Sequence, residues 1–408
     1  MKKNRVWLVF LGCMLYYGSL MGLQYNCAGV LISGIMSAEG YTSSSLSGFF
    51  TMRNTIQALG MLVTARLLKE KSIKAVSLGI GLCSGASLFL MSLYNASWMW
   101  LISGILAGLA NSLSMLLTTT VINAWFTKKK GTFLSLATVI SGVLGMVLNP
   151  IVSRYIESSG WRSAAVILGL ASFGMNLAGT LLLVKRPEDV DAEPYGGFAI
   201  PVDKTVDEKK RSSSWLPTWH ELKIYLFVLL SVSMTGKGIQ MTSYIPQYST
   251  ALGYPLEIGG KLTSCIMIGN FTAKILFGLV SDWIGAWKSV QVFLALLGLS
   301  FFLLATFGGV LPVMFAACVL LGFAYMSGLG LSMVAVEIFD KEHFEEQYSR
   351  NSMFATIMTI PLPFIISYLF DLTGSFRLIF YAFAFLMYLG IFLISLRYKL
   401  GIVKRSET

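Results

Sequence analysis

Three basic residues sit where a polar side chain is costly. Lys274 lies inside the apolar stretch Thr263–Lys288, TSCIMIGNFTAKILFGLVSDWIGAWK, and Arg53 and Lys237 lie inside two others. Arg53 is about ten residues into its stretch, roughly 15 Å at 1.5 Å per residue. Lys274 is seven residues before Ser281, and Lys237 falls in the opposite half of its own stretch. All twenty acidic residues lie in loops or at the edges of apolar runs, with Glu39, Glu257 and Glu337 nearest to membrane depth. The three cations therefore have no carboxylate at their own depth. An unpaired desolvated charge costs several kcal/mol even after relaxation. Water in a cavity or an anionic ligand must complete them, and the simplest such ligand is a carboxylate. A guanidinium offers it a planar fork and an ammonium a point charge. The structural alternative is a Lys or Arg bonded to backbone carbonyls or to Asn and Gln, and it stays open for each of the three.

Polar residues accompany the cations at helical spacing. Gln24 and Tyr25 lie in the first apolar run, and Gln57 is one turn from Arg53. Gln240 and Tyr244 follow Lys237 by three and seven positions, and Asn270 precedes Lys274 by one turn. Residues at these separations share a helix face. Tyr25 and Tyr244 are the aromatic candidates for walling a carboxylate site, although interhelical hydrogen bonding alone explains many such residues.

The rest of the chain must place these groups in a membrane. Of 408 residues, 55% are hydrophobic and 12% charged, against about 25% charged in soluble domains. The mean hydropathy is +0.70. The chain reads as an all-α membrane protein. Twelve transmembrane helices can be drawn, near 6–35, 44–66, 75–94, 98–123, 131–153, 162–184, 221–247, 258–281, 289–308, 311–336, 350–370 and 376–397. The apolar run after Met1-Lys2-Lys3-Asn4-Arg5 is too long for a cleaved signal peptide and is expected to be the first span. Of the 31 Lys and Arg, 24 then fall on one side. That asymmetry predicts both termini in the cytoplasm. It also accounts for the net charge of +11 without nucleic acid.

The polar segment Lys185–Glu221 splits the spans six and six. We expect an N-terminal bundle over 1–185, a flexible cytoplasmic linker over 186–219 and a C-terminal bundle over 220–408. The halves look like weak repeats: Arg162 after the fifth span and Arg377 after the eleventh are 215 positions apart. Such a duplication places a substrate site near the midplane, between the halves. Gly104 and Gly108 form a small-xxx-small pair suited to close helix contact. The five cysteines have neither metal-ligand nor disulfide spacing, and His220 and His343 have no catalytic partner. No catalytic residue, metal or cofactor is expected.

Gly278-x-x-x-Asp282-x-x-Gly285 at the end of the eighth span matches the loop motif of the major facilitator superfamily. The chain resembles a transporter of that superfamily over essentially its full length. The equivalent after the second span, Thr64–Lys71, lacks the glycines. Gly22-Leu-Gln-Tyr25, Ile56-Gln57-Ala58 and Asn270-x-x-x-Lys274-Ile-Leu-x-Gly278 are similar to the oxalate/formate antiporter and monocarboxylate transporter branch. The resemblance implies a gating role for Gly278, Asp282 and Gly285, and a substrate role for the cation at Lys274. The branch usually carries arginine there. Its oxalate-type antiporter has lysine in the eleventh span, where this chain has Thr356 and Thr359, and its monocarboxylate members have aspartate where this chain has Asn270. Oxalate is thereby put in doubt.

The function expected is alternating-access transport of a small mono- or dicarboxylate, with exchange favoured over proton symport, because no intramembrane Asp, Glu or His is present. The alternatives are a proton-coupled monocarboxylate symporter and a facilitator for a neutral solute; a membrane enzyme or non-transporting sensor is disfavoured. The expected partners are the anion and the bilayer, with no nucleic acid, and a monomer suffices. A multi-pass protein of the cell membrane, as in a bacterial inner membrane, fits the short loops.

Overall fold

A computed structural model describes residues 5–197, 219–338 and 344–399. These residues form twelve helical runs joined by short turns. The first six are Arg5–Glu39 (α1), Ser43–Glu70 (α2), Ile73–Leu93 (α3), Ser97–Trp125 (α4), Lys130–Ser159 (α5) and Trp161–Leu182 (α6). The pieces Trp219–Leu230, Met234–Thr242 and Ile245–Ala251 make α7, and Leu256–Ile284 is α8. Ala286–Phe307 is α9, and Leu311–Leu321 with Ser327–Ile338 makes α10. Phe344–Ile357 and Leu362–Thr373 make α11, and Arg377–Ser395 is α12. Nine runs among the described residues are long and apolar enough to cross a membrane, or ten if the pieces of α7, bent by 44°, form one span.

Several runs are interrupted where the sequence forces it. Residues Gly18–Tyr25 of α1 are π-helical, a widened turn often found at functional sites. In α11 the helix stops at Ile357 and restarts at Leu362. Pro361 and Pro363 lack the N–H groups that a continuous ladder needs there. At the end of α8, Gly285 takes φ +83°, a conformation nearly closed to other residues. This explains the glycine that closes the Gly278/Asp282/Gly285 motif.

Runs α1–α6 pack chiefly on one another, as do α7–α12. Gly104 and Gly108 let α4 lie against the backbone of α2. A Cβ at Gly108 would stand 2.7 Å from the Arg53 carbonyl oxygen, so this small-residue stripe fixes where Arg53 is presented. The segment after α6 is not all free. A short 3-10 turn, Pro187–Val190, leads to Tyr195. Tyr195 donates its N–H to the Trp125 carbonyl (2.8 Å) and its carbonyl accepts from Thr127 (3.0 Å). Its ring joins Trp7, Phe126 and Phe133. The first part of the segment expected to be flexible is thus docked on α4 and α5. Residues 198–218 of that segment and His343 lie outside the described residues.

The two groups of helices meet mainly toward the end remote from Arg5 and Ser395. There Gly260 of α8 lies so close to α5 that a Cβ would collide with Ser153 and with the Asn149 carbonyl. Ser264 donates to the Met146 carbonyl at 2.6 Å. One buried apolar core crosses this seam, from Leu31 and Ile35 through Val152 and Ile156 to Ile245, Leu256 and Leu262. A second core, with Val9, Cys13, Val121, Trp125 and Leu183, lies wholly within the first group. Further along α8, Asn270 faces Gly142 of α5, where a Cβ would sit at 3.7 Å.

Candidate binding site between the helix groups

Arg53 on α2 is completely buried. Nε and both terminal nitrogens have no hydrogen-bond partner among the described residues. The guanidinium carbon lies 4.0 Å from the ring centre of Tyr25, 5.1 Å from that of Phe50 and 5.9 Å from that of Phe49. Cation–π contact is attractive, but it leaves every N–H of the fork unused. Tyr244 and Tyr325, from α7 and the middle of α10, also lie within electrostatic reach of this charge. Arg53 therefore stands in an aromatic cup built from both helix groups.

The neighbouring residue bridges the seam. Asn54 Nδ2 donates to Gln240 Oε1 at 3.2 Å. Lys237 lies one turn before Gln240, is buried, and donates to the carbonyl of Ala355 at 2.9 Å. The break in α11 frees that carbonyl: Met358 N–H bonds to Phe354 and Thr359 N–H to Thr356, so the ladder passes Ala355 by. An ammonium at a helix C-terminus both satisfies an orphan carbonyl and meets the negative end of the dipole. Lys237→Met is expected to cost about 1–3 kcal/mol of stability, the value of an unsatisfied buried acceptor. Thermal melting of the purified protein would show it.

Lys274 is half-buried and makes no hydrogen bond or ion pair among the described residues. It lies one turn past Asn270, which faces Gly142 of α5. Depth can be compared by counting residues from the remote helix ends at 1.5 Å each. Asn54 and Gln240 then both fall at about 16 Å, as their hydrogen bond requires. Arg53 falls at about 15 Å, Lys237 at about 21 Å and Lys274 at about 27 Å. The three cations form a staircase from the sealed end toward the other.

Other candidates have mixed surroundings. Among the described residues, Gln24 is buried with both amide atoms unpaired, and Asn270 is buried with Oδ1 unpaired. Gln57 is half-buried. The Tyr244 hydroxyl donates to the Pro363 carbonyl at 2.9 Å and accepts from Ser367 at 3.2 Å, so its proton is already committed. Asp282 is exposed and unpaired among the described residues.

Sequence reasoning missed two residues here. Asn351 on α11 is buried, with both amide atoms unpaired among the described residues. It lies one turn before Ala355, on the face that Lys237 touches. Next to Arg350 it reads as loop polarity. Tyr325 carried no signal, since it is one aromatic in an apolar run.

This arrangement, a two-part helical shell around charges at the seam, agrees with what the chain resembles. The profile of the Major Facilitator Superfamily matches residues 14–336. The chain belongs to the major facilitator superfamily. It is a membrane transporter by family and not an enzyme. It is 24% identical to the uncharacterized MFS-type transporter YhjX of Escherichia coli over 348 residues, covering 84% of this chain and 83% of that one. It is 25% identical to monocarboxylate transporter 12 of Xenopus laevis over 213 residues, covering 50% and 46%. A crystal structure of a D-xylose–proton symporter superposes with a TM-score of 0.73 at 13% identity, covering 100% of this chain and 99% of that one. The nucleoside transporter NupG gives 0.74 at 14% identity, covering 96% and 99%. At such identities these two structures speak for the fold alone.

Proposed function

We propose that this transporter carries a small organic anion, a mono- or dicarboxylate, by alternating access of two six-helix bundles, 1–185 and 220–408. One observation carries the reading: the Arg53 guanidinium is fully buried at the seam, and all its nitrogens are unpaired among the described residues. Leaving a charge in that state is costly, and a carboxylate in the plane of the fork removes the cost through two charge-assisted hydrogen bonds. Lys274 at the open end and Lys237 between them draw the anion inward. Similarity to a monocarboxylate transporter over half of this chain supports the same substrate class.

On this reading all twelve runs cross the bilayer and both termini face the cytoplasm, as the 24 basic residues on one side suggest. The sealed end is then the outer face, and the cavity opens inward. Exchange is favoured over proton symport because every Asp and Glu lies in a loop or at a span edge. Gly278, Asp282 and Gly285 serve at the inner gate. The chain works as a multi-pass protein of the cell membrane, in the manner of a bacterial inner-membrane carrier.

The test is ligand-induced thermal stabilisation. Small carboxylates should raise the melting temperature of the purified protein, and sugars and nucleosides should not. Stabilisation by neutral solutes alone would refute the anion reading.

A further inference from the structure

At the sealed end, two carboxylates reach across the seam to backbone N–H groups. Asp371, at the end of α11, accepts from the N–H of Ser43 at 2.9 Å and of Ser44 at 2.7 Å. These are the first residues of α2, in the other helix group. Glu157, at the end of α5, accepts from the N–H of Glu257 at 3.1 Å. Glu257 is in the first turn of α8, again in the other group. The two contacts are related by the repeat: Asp371 follows Glu157 by 214 positions, and Glu257 follows Ser43 by 214. Each half thus donates an acid from the end of its fifth helix to the N-terminus of the other half's second helix.

The first N–H groups of a helix have no partner within it. They favour an anion through both hydrogen bonding and the helix dipole. In α2 the local cap is incomplete. The Thr42 hydroxyl accepts the backbone N–H of Ser45 at 3.4 Å, and the two N–H groups before it go to Asp371. Ser43 also donates its hydroxyl to Gln247 of α7 at 3.1 Å, a second tie across the seam. In α8 the Glu257 side chain is held aside by Lys261 at 2.8 Å, so the incoming Glu157 meets N–H groups rather than a bare like charge.

We infer that Asp371 and Glu157 are paired positioning residues of the transport cycle. They cap helices of the opposite bundle only while the remote end is shut, and so they set how often it opens. Both acids are exposed, while of the N–H groups they cap Ser43 is buried and Ser44 and Glu257 are half-buried. Water replaces each carboxylate when the bundles part, which makes the latch strong enough to bias the closed state and weak enough to release. The break in α11 between Ile357 and Leu362 lets the outer piece carrying Asp371 move apart from the inner piece capped by Lys237. This inference rests on the two-bundle fold and alternating access, not on the identity of the solute.

The experiment uses Ser153→Cys in the full-length protein in lipid nanodiscs. Ser153 is buried and faces Gly260 across the seam, so a maleimide reaches it only when the seal opens. Asp371→Ala and Glu157→Ala should each raise the labelling rate severalfold, and together by tenfold or more. Asp371→Asn and Glu157→Gln, which keep a neutral acceptor, should fall between. The same substitutions without Ser153→Cys report on unfolding through buried Cys13, Cys27 and Cys318. A rise confined to the introduced cysteine supports the latch. A Ser153→Cys rate within twofold of the parent in the double variant, or an equal rise at the native cysteines, overturns it.

Discussion

Arg53→Met should yield a transporter that is more stable and does not transport. The substitution leaves an apolar side chain of similar length, and removes a guanidinium that lies over the rings of Tyr25 and Phe50 with no polar partner among the described residues. Replacing buried ionic groups by apolar ones of similar size often stabilises by about 1–4 kcal/mol. Here the gain is offset in part by the lost cation–π contact, worth about 2 kcal/mol when desolvated. The function should move the other way. Truncating one partner of a buried charge pair costs about 3 kcal/mol, or about 100-fold in affinity. Thermal melts and carboxylate binding on the same preparation check both halves. A variant that melts lower and binds normally would make Arg53 a structural residue.

Lys274→Ala should abolish uptake while leaving membrane insertion and folding intact. The ammonium is half-buried and has no partner among the described residues, so its loss orphans nothing. This separates it from Lys237, whose removal strips the Ala355 carbonyl of its donor. Lys274→Arg keeps the charge and should retain a substantial fraction of transport. Uptake measured against the amount of inserted protein tests this, and wild-type uptake by Lys274→Ala would take that residue out of the pathway.

The membrane class and the superfamily were legible because they are written locally, in apolar runs and in the Gly278, Asp282 and Gly285 motif. Arg53 and Lys274 were legible for a related reason: a cation in an apolar run is conspicuous wherever the chain later folds. Their surroundings were less so. The seat of Arg53 on Tyr25 requires the π-helical stretch of α1 and the glycine contact between α4 and α2, both of which are tertiary facts. Lys237 read as a candidate ligand from depth alone. Its partner is a backbone carbonyl 118 positions away, freed by a break that Pro361 and Pro363 suggest without saying which carbonyl is left over.

Asp371 and Glu157 show a different kind of blindness. Acids at span edges are the commonest residues to leave to solvent, and nothing in their flanking sequence marks them. Their partners are backbone N–H groups, which carry no residue signature at all. Only the repeat could have exposed them, since the offset of 215 positions that pairs Arg162 with Arg377 lies within one residue of the offset that pairs the two acids. The eleventh span was expected to be one continuous helix and is two, for the same reason that proline fixes local geometry but not its consequence.

The measurement that bears most directly on the whole account is exchange in proteoliposomes. Vesicles loaded with one unlabelled carboxylate would be offered a panel of radiolabelled mono- and dicarboxylates, with and without a pH gradient. The account predicts labelled anion entering against internal anion, without need of the gradient, and no entry in Arg53→Met or Lys274→Ala vesicles. If no carboxylate moves, or if only neutral solutes do, the assignment of the buried cations to an anionic substrate is wrong.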